Sequence, residues 1–213
     1  MKIKLTILVL LLLFGFLNSF GQKSFLDYYI NQMNMKYDCP PDFIEEKIID
    51  STAYMPRRNS GFLNGVFYKL KPKDSDSLSI ALSFFDVGPI LRNRENHSSY
   101  TEKSFARTIN YLLDTRPLFE ERGGEVIEVK RGDVLDTTKI QMFKDMALKR
   151  YGADRAGIID VPVDIPYLGK YHKLKILFME KKGTGEAYIY YHYNDGQDIT
   201  RYIEKTKYIL TFK

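Results

Sequence analysis

Residues 174–193 read LKILFMEKKGTGEAYIYYHY and carry the strongest structural signal in the chain. Aliphatic and aromatic residues dominate on both sides of a polar, glycine-containing segment at 181–185. Two such runs joined by a short turn are typical of an antiparallel β-hairpin. We therefore predict strands over 174–179 and 187–193, with the turn between them.

A second strand signal lies over residues 78–85, which read LSIALSFF. Apolar residues alternate with small ones here, and this period of two is typical of a strand with two different faces. One predicted face carries Leu78, Ile80, Leu82 and Phe84, and the other carries Ser79, Ala81 and Ser83. A strand over 66–70 precedes it across a polar turn at 72–77, so we predict that the two form an antiparallel pair.

Polar spacing near residue 99 marks the start of a helix. Ser99 and Glu102 form a capping-box pair, in which each side chain satisfies a backbone N–H group at the helix start. We expect this helix to run to about Asp114, because Pro117 disfavours helical geometry in the residue before it.

A second capping box, Thr138 with Gln141, predicts another helix over 138–151. Gly152 stands at the usual C-cap position, directly after two basic residues that suit the negative end of a helix dipole. Both ends are marked, so this is the best-defined helix that the sequence predicts.

The remaining segments give weaker signals. Short helices are predicted over 22–34 and 199–207. Residues 43–49 fit either a helix or a strand, and 125–130 fit a strand that follows two glycines. Residues 156–166 are extended, and the two prolines within them favour an edge strand over a central one.

The elements together predict one α+β domain over residues 22–213. We expect a mainly antiparallel sheet with two or three helices packed on one face. Residues 22–36 fit either a peripheral helix or a tail. No period of twenty to fifty residues recurs, which excludes repeat architectures.

The N-terminus has the order of residue types of a secretory signal peptide. It contains Lys2 and Lys4, then an apolar run over 5–17, then the small residues Ser19 and Gly21. We predict that residues 1–21 are removed and that the remaining chain has no stable membrane span. The alternative is an uncleaved N-terminal anchor, although the apolar run is shorter than the ~20 residues that a span needs.

A small residue followed by Gln22 at the cleavage point resembles exported proteins of Bacteroidota. This resemblance implies a periplasmic or extracellular location and no particular activity. The C-terminus, a short helix followed by YILTFK at 208–213, resembles the C-terminus of PsbP/Mog1-like domains. Those domains are α+β units that serve as binding or assembly modules.

Charge and cysteine content narrow the class of protein. The formal net charge is +5, of which the leader supplies two units, and the signs are interspersed along the chain. A nucleic-acid-binding protein clusters its basic residues, so we expect no nucleic-acid partner. Cys39 is the single cysteine, which excludes an intramolecular disulfide, and the fold must be stabilised by its core.

The returning strand of the hairpin supplies the candidate binding residues. Side chains alternate along a strand, which places Tyr188, Tyr190 and His192 on one side and Ile189, Tyr191 and Tyr193 on the other. One row must face the core, and the other would present an aromatic strip to a glycan or a protein. The alternative is that helices cover one face and loops cover the other.

His172 is the fourth candidate binding residue. It precedes the hairpin, and counting back from the turn places it near His192 across the strands. No metal-ligand spacing accompanies either histidine, and we expect no metal and no cofactor.

No catalytic motif is present: the chain contains no nucleophile elbow, phosphate-binding loop or dinucleotide fingerprint. We therefore predict a non-enzymatic binding or assembly module of the cell envelope with a protein or glycan partner. The alternative is a small exported hydrolase with an Asp/His site, for which the candidate residues are Asp154, Asp160, His172 and His192.

Overall fold

A computed structural model describes residues 26–46, 66–86, 97–114, 119–129, 132–163 and 170–213. The predicted signal peptide lies outside these residues. None of the helices in the described ranges is long and apolar enough to cross a membrane.

The described chain contains eleven strands and four α-helices. The strands are β1 Met35–Tyr37, β2 Phe43–Glu46, β3 Val66–Pro72, β4 Ser79–Asp86, β5 Phe119–Arg122, β6 Glu125–Glu128, β7 Gln141–Met142, β8 Arg155–Val161, β9 Lys173–Lys181, β10 Gly185–Tyr193 and β11 Leu210–Phe212. The helices are α1 (residues 26–32), α2 His97–Leu113, α3 Asp145–Tyr151 and α4 Thr200–Thr206.

Seven strands form one antiparallel sheet in the order β2-β3-β4-β10-β9-β8-β7. Strand β10 lies in the middle and pairs with β4 on one side and with β9 on the other. The pairs β1–β11 and β5–β6 form two small separate sheets. The predicted hairpin is confirmed as β9–β10, and the predicted strands over 66–70 and 78–85 are confirmed as β3 and β4.

Two hydrophobic layers cover the large sheet. On the first face, the apolar side chains of β4, β9 and β10 pack with α1, α3 and α4, which contribute Leu26, Tyr151 and Tyr202. On the second face, Phe105 and Ile109 of α2 pack over β8, β9 and β10. The predicted α+β class is confirmed, with three helices on the first face and α2 on the second.

The predicted helix over 138–151 is wrong in its first half. Residues Thr137–Lys139 form one 3-10 turn, and the next residues pair with β8 as strand β7. The α-helix begins only at Asp145. Pairing along the sheet edge outweighs the local capping signal, since tertiary contacts override helix propensity. The helix end is as predicted: Gly152 has φ 61° and donates its N–H to the carbonyl of Lys149.

Two strand predictions also change. Gly123 and Gly124, with φ 62° and 85°, form the turn of a β5–β6 hairpin, so the sequence reading missed β5. Strand β8 ends at Val161, before the first proline, and lies inside the sheet because β7 covers its outer side. The expectation of an edge strand there is wrong. Residues 43–46, left open by the sequence, form the strand β2.

The close approach of Gly152 to β11 gives a stability test. A Cβ atom at Gly152 would lie 2.2 Å from the Phe212 carbonyl oxygen, whereas Gly183 has φ 71° and open space around it. We expect Gly152→Ala to lower the free energy of unfolding by about 2–4 kcal/mol, because strand β11 must move. Gly183→Ala, the control for backbone strain alone, should cost about 1 kcal/mol. If urea unfolding shows equal losses of unfolding free energy for Gly152→Ala and Gly183→Ala, the close approach of Gly152 to β11 is contradicted.

Candidate functional site

Both rows of β10 side chains are buried, apart from the half-buried Tyr193 at the end of the strand. Tyr188, Tyr190 and His192 are 4%, 1% and 3% exposed, and Ile189 and Tyr191 are fully buried. Of the two alternatives, the exposed aromatic strip is wrong, because packed layers lie against both faces of the central strand. Whether Tyr188, Tyr190 and His192 bind a partner stays a prediction.

The second face of the sheet is polar where β4 meets β10. The register pairs Ser83 with Tyr188, Ala81 with Tyr190, and Ser79 with His192. The small side chains of β4 therefore lie beside the large rings of β10. We name Ser79, Ser83, Tyr188, Tyr190 and His192 the polar row.

The rings of the polar row follow one another along β10. The ring centroids of Tyr188 and Tyr190 are 6.2 Å apart, and those of Tyr190 and His192 are 6.4 Å apart with nearly parallel planes. Tyr171 extends the series, with its ring centroid 6.5 Å from that of His192. The result is a continuous line of aromatic surface with polar atoms along it.

Two hydroxyl groups of this row are buried without a hydrogen bond among the described residues: Ser79 Oγ and Tyr190 Oη. The Ser83 hydroxyl lies close enough to Tyr190 to offset part of the rise in pKa that burial causes, but not in hydrogen-bonding geometry. A buried polar atom without a partner costs about 1–3 kcal/mol. Such atoms in a native fold point to a bound water, ion or ligand.

The first face of the same strand provides the contrast. Tyr191 is as deeply buried as Tyr190, but its hydroxyl shares a 2.9 Å hydrogen bond with Thr206 of α4. Thr206 in turn donates to the carbonyl of Tyr202 at 2.6 Å. The adjacent residues Tyr190 and Tyr191 thus differ in one respect. Among the described residues, the hydroxyl of Tyr191 has a hydrogen-bond partner and that of Tyr190 has none.

His192 is held in the neutral form. Burial, followed by the positive charge of Lys69, lowers the pKa of His192 to about 3. The Lys69 ammonium forms an ion pair with Glu46 at 2.6 Å. The surroundings of His192 therefore carry no net charge, since the imidazole is neutral and Lys69 is paired with Glu46.

The second face becomes more exposed toward strands β2 and β3, although the polar row itself is buried. The register places Ile44, Lys69 and Lys71 on the same face as Ser79. Ile44 is 47% exposed, and the Lys71 side chain is 35% exposed. His172 is also exposed, whereas its neighbour Tyr171 is the residue that packs beside His192.

The four candidate hydrolase residues are not brought together. Asp160 pairs with Lys175 at 2.7 Å, and its register position puts it on the face opposite His192. Asp154 accepts a 2.8 Å hydrogen bond from the Lys182 amide, near the turn of the hairpin. His192 pairs with Leu174, near the other end of β9. At ~3.3 Å per residue, Leu174 lies about 20 Å along the strand from Glu180, which is next to the turn. No common site contains them all.

A charged cluster near the hairpin turn was missed by the sequence analysis. Glu180 and Glu186 are 1% and 2% exposed, and they are register partners across β9 and β10. Arg155 of β8 pairs with Glu180 through two hydrogen bonds of 2.5 and 2.9 Å. The signal was available: the two glutamates flank the predicted turn at positions that a hairpin brings face to face.

No group of three or more His, Cys, Asp or Glu side chains in the described ranges is arranged to hold a metal ion. Comparison with protein-family models, curated proteins and solved structures gives no match for this chain. The resemblance to PsbP/Mog1-like domains stays a prediction.

The buried neutral His192 predicts acid sensitivity. Its pKa is lowered in the folded state, so its contribution to stability is present above about pH 6.5 and is lost as the pH falls toward 3. Relative to His192→Gln, the wild type should lose about 2–3 kcal/mol of unfolding free energy between pH 6.5 and 4.5. The control His172→Gln alters an exposed ring and should follow the wild type. Parallel curves for wild type and His192→Gln would contradict the assignment.

Proposed function

We propose that this protein is a non-enzymatic binding module that is exported to the cell envelope and holds a glycan or protein partner. The order of basic, apolar and small residues at the N-terminus supports export. The interspersed charges make a nucleic-acid partner unsuitable.

The observation that carries the binding role is the pair of unsatisfied hydroxyls at Ser79 and Tyr190. Neither hydroxyl has a partner among the described residues, and a ligand that supplies a hydrogen bond would recover the free energy that such burial costs. These hydroxyls lie along a line of aromatic rings, beside a neutral histidine.

This combination favours a glycan over a protein partner. Sugar rings carry hydroxyl groups that donate and accept hydrogen bonds, and apolar faces that pack on aromatic rings. The polar row offers both kinds of contact and no net charge near His192. A neutral oligosaccharide is therefore the partner that its chemistry suits best.

Binding includes a local opening of the protein. The polar row is nearly inaccessible, while Ile44, Lys69 and Lys71 on the same face are partly exposed. A ligand that enters from the β2–β3 side must displace side chains there before it reaches Ser79 and Tyr190. Such rearrangement is common among binding proteins and lowers the apparent affinity.

The alternative of a small exported hydrolase loses support. Its four candidate residues lie on different faces and at different ends of the sheet. The carboxyl pair Glu180 and Glu186 is close enough for acid–base chemistry, but both side chains are buried, and Glu180 is held by Arg155. As at the polar row, a substrate would reach them only after a local opening of the protein.

Binding is tested with an array of neutral oligosaccharides of hexoses and N-acetylhexosamines, followed by calorimetry on those that bind. We expect Ser79→Ala and Tyr190→Phe to weaken the best binder at least tenfold, since each loses a hydrogen bond worth about 1.5 kcal/mol. Tyr190→Phe should leave stability unchanged or raise it, because it removes an unsatisfied hydroxyl.

Tyr191→Phe is the matched control on the opposite face. It should lose about 1 kcal/mol of stability with its Thr206 hydrogen bond and retain full affinity. If no oligosaccharide on the array binds, the proposal of a glycan partner is refuted. A binder that is insensitive to Ser79→Ala and Tyr190→Phe would refute the polar row as its site.

Export is tested by fractionating cells that produce the native chain and sequencing its N-terminus. We expect the protein outside the cytoplasm with Gln22 as its first residue, because residues 1–21 have the pattern of a cleaved leader. Recovery from the cytosol with Met1 still attached would contradict export.

A further inference from the structure

The row Arg155–Glu180–Glu186 crosses three neighbouring strands near the hairpin turn. The register aligns Arg155 of β8 with Glu180 of β9, and Glu180 with Glu186 of β10. Directly opposed residues on antiparallel strands have Cβ atoms about 4.5–5.5 Å apart. Two carboxyl groups and one guanidinium group therefore share one buried strip of the second face.

The charges of this row do not balance when both carboxyl groups are ionised. Arg155 uses its Nε and Nη2 groups on the two oxygens of Glu180. Tyr188 donates its hydroxyl hydrogen to Oε2 of Glu186. The other oxygen of Glu186, Oε1, is buried without a hydrogen bond in the described part of the chain. A neutral Glu186 would leave one cation facing one anion.

The other described elements around Glu186 add no compensating charge. Strand β4 contributes Phe85 as the register partner and Ser83 beyond it. Helix α2 contributes Phe105, whose ring lies 4.5 Å below the Arg155 guanidinium. Arg107 of the same helix is exposed and pairs with Asp133 at 2.6 Å. Among the described residues, the positive charge that acts on Glu186 is therefore that of Arg155.

We propose that Glu186 carries a proton in the folded protein under mildly acidic conditions and releases it near neutrality, so that the turn end of the β9–β10 hairpin weakens as the pH rises. The expected consequence is a pH-responsive element in the centre of the sheet. It involves Tyr188 of the polar row, but it does not rest on the binding role, which is argued from Ser79 and Tyr190.

The electrostatics of the site agree with this arrangement. Burial raises the pKa of Glu186 from 4.5 to about 7; the charge of Glu180 adds to this rise, while the Tyr188 hydrogen bond and Arg155 oppose it. Because the pKa is raised in the folded state, the contribution to stability is full below pH 4.5 and is lost as the pH rises through 7. The loss corresponds to roughly a hundredfold change in the unfolding equilibrium.

The test compares urea unfolding of the full chain with that of Glu186→Gln from pH 4.5 to 8. Glutamine keeps the size of the side chain and does not titrate. We expect the wild-type stability to fall relative to this variant across the range, by a factor of ten or more in the unfolding constant. The comparison is made as a difference because His192 contributes a slope of opposite sign at acidic pH.

Glu125→Gln serves as the control, because Glu125 is exposed on the separate β5–β6 hairpin. It should reproduce the wild-type pH dependence. A second measurement follows the Glu186 carboxyl carbon of the wild type by NMR across the same range, and it decides the question even if Glu186→Gln fails to fold. Titration of that carbon between pH 6 and 8 is expected; titration near pH 4.5, or parallel unfolding curves, would overturn the proposal.

Discussion

Strand β10 is hydrogen-bonded along both edges and covered on both faces. Eight of its nine residues are buried, including a glutamate, a histidine and three tyrosines. A strand in this position has no solvent-facing side, so every polar atom that it carries must be satisfied within the protein or by a bound group. The two faces of β10 differ in how their buried polar atoms find hydrogen-bond partners.

The buried polar atoms on the two faces of β10 have different partners. On the first face, Tyr191 bonds to Thr206, and α4 is thereby tied to the centre of the sheet. On the second face, the hydroxyls of Ser79 and Tyr190 and one oxygen of Glu186 are left without hydrogen bonds among the described residues. A fold that needed only stability would place apolar side chains there. The unsatisfied atoms lie in two places, one beside His192 and one beside Glu180. We propose a ligand for the first place and a protonated Glu186 for the second.

Local patterns predicted a large part of the fold. The alternation over 78–85 and the glycine turn at 181–185 predicted β4 and the β9–β10 hairpin, because a period of two and a tight turn act over a few residues. The helix predicted to end near Asp114 is confirmed as α2, but the predicted cap Ser99 lies within it, because the helix includes His97. The capping box at Thr138 failed because the next residues found a hydrogen-bonding partner in β8, which lies after α3 in the chain. A local signal cannot report such a partner.

The sequence by itself determined the α+β class, the paired strands and the division of β10 into two rows, since all three follow from periodicities within short segments. Only the tertiary structure decided that both rows are buried, that the four Asp and His candidates lie apart, and that Glu180, Glu186 and Arg155 lie side by side. Burial and charge proximity depend on which segments cover each face and on the register between strands. Those are properties of the assembled sheet, and a linear pattern does not contain them.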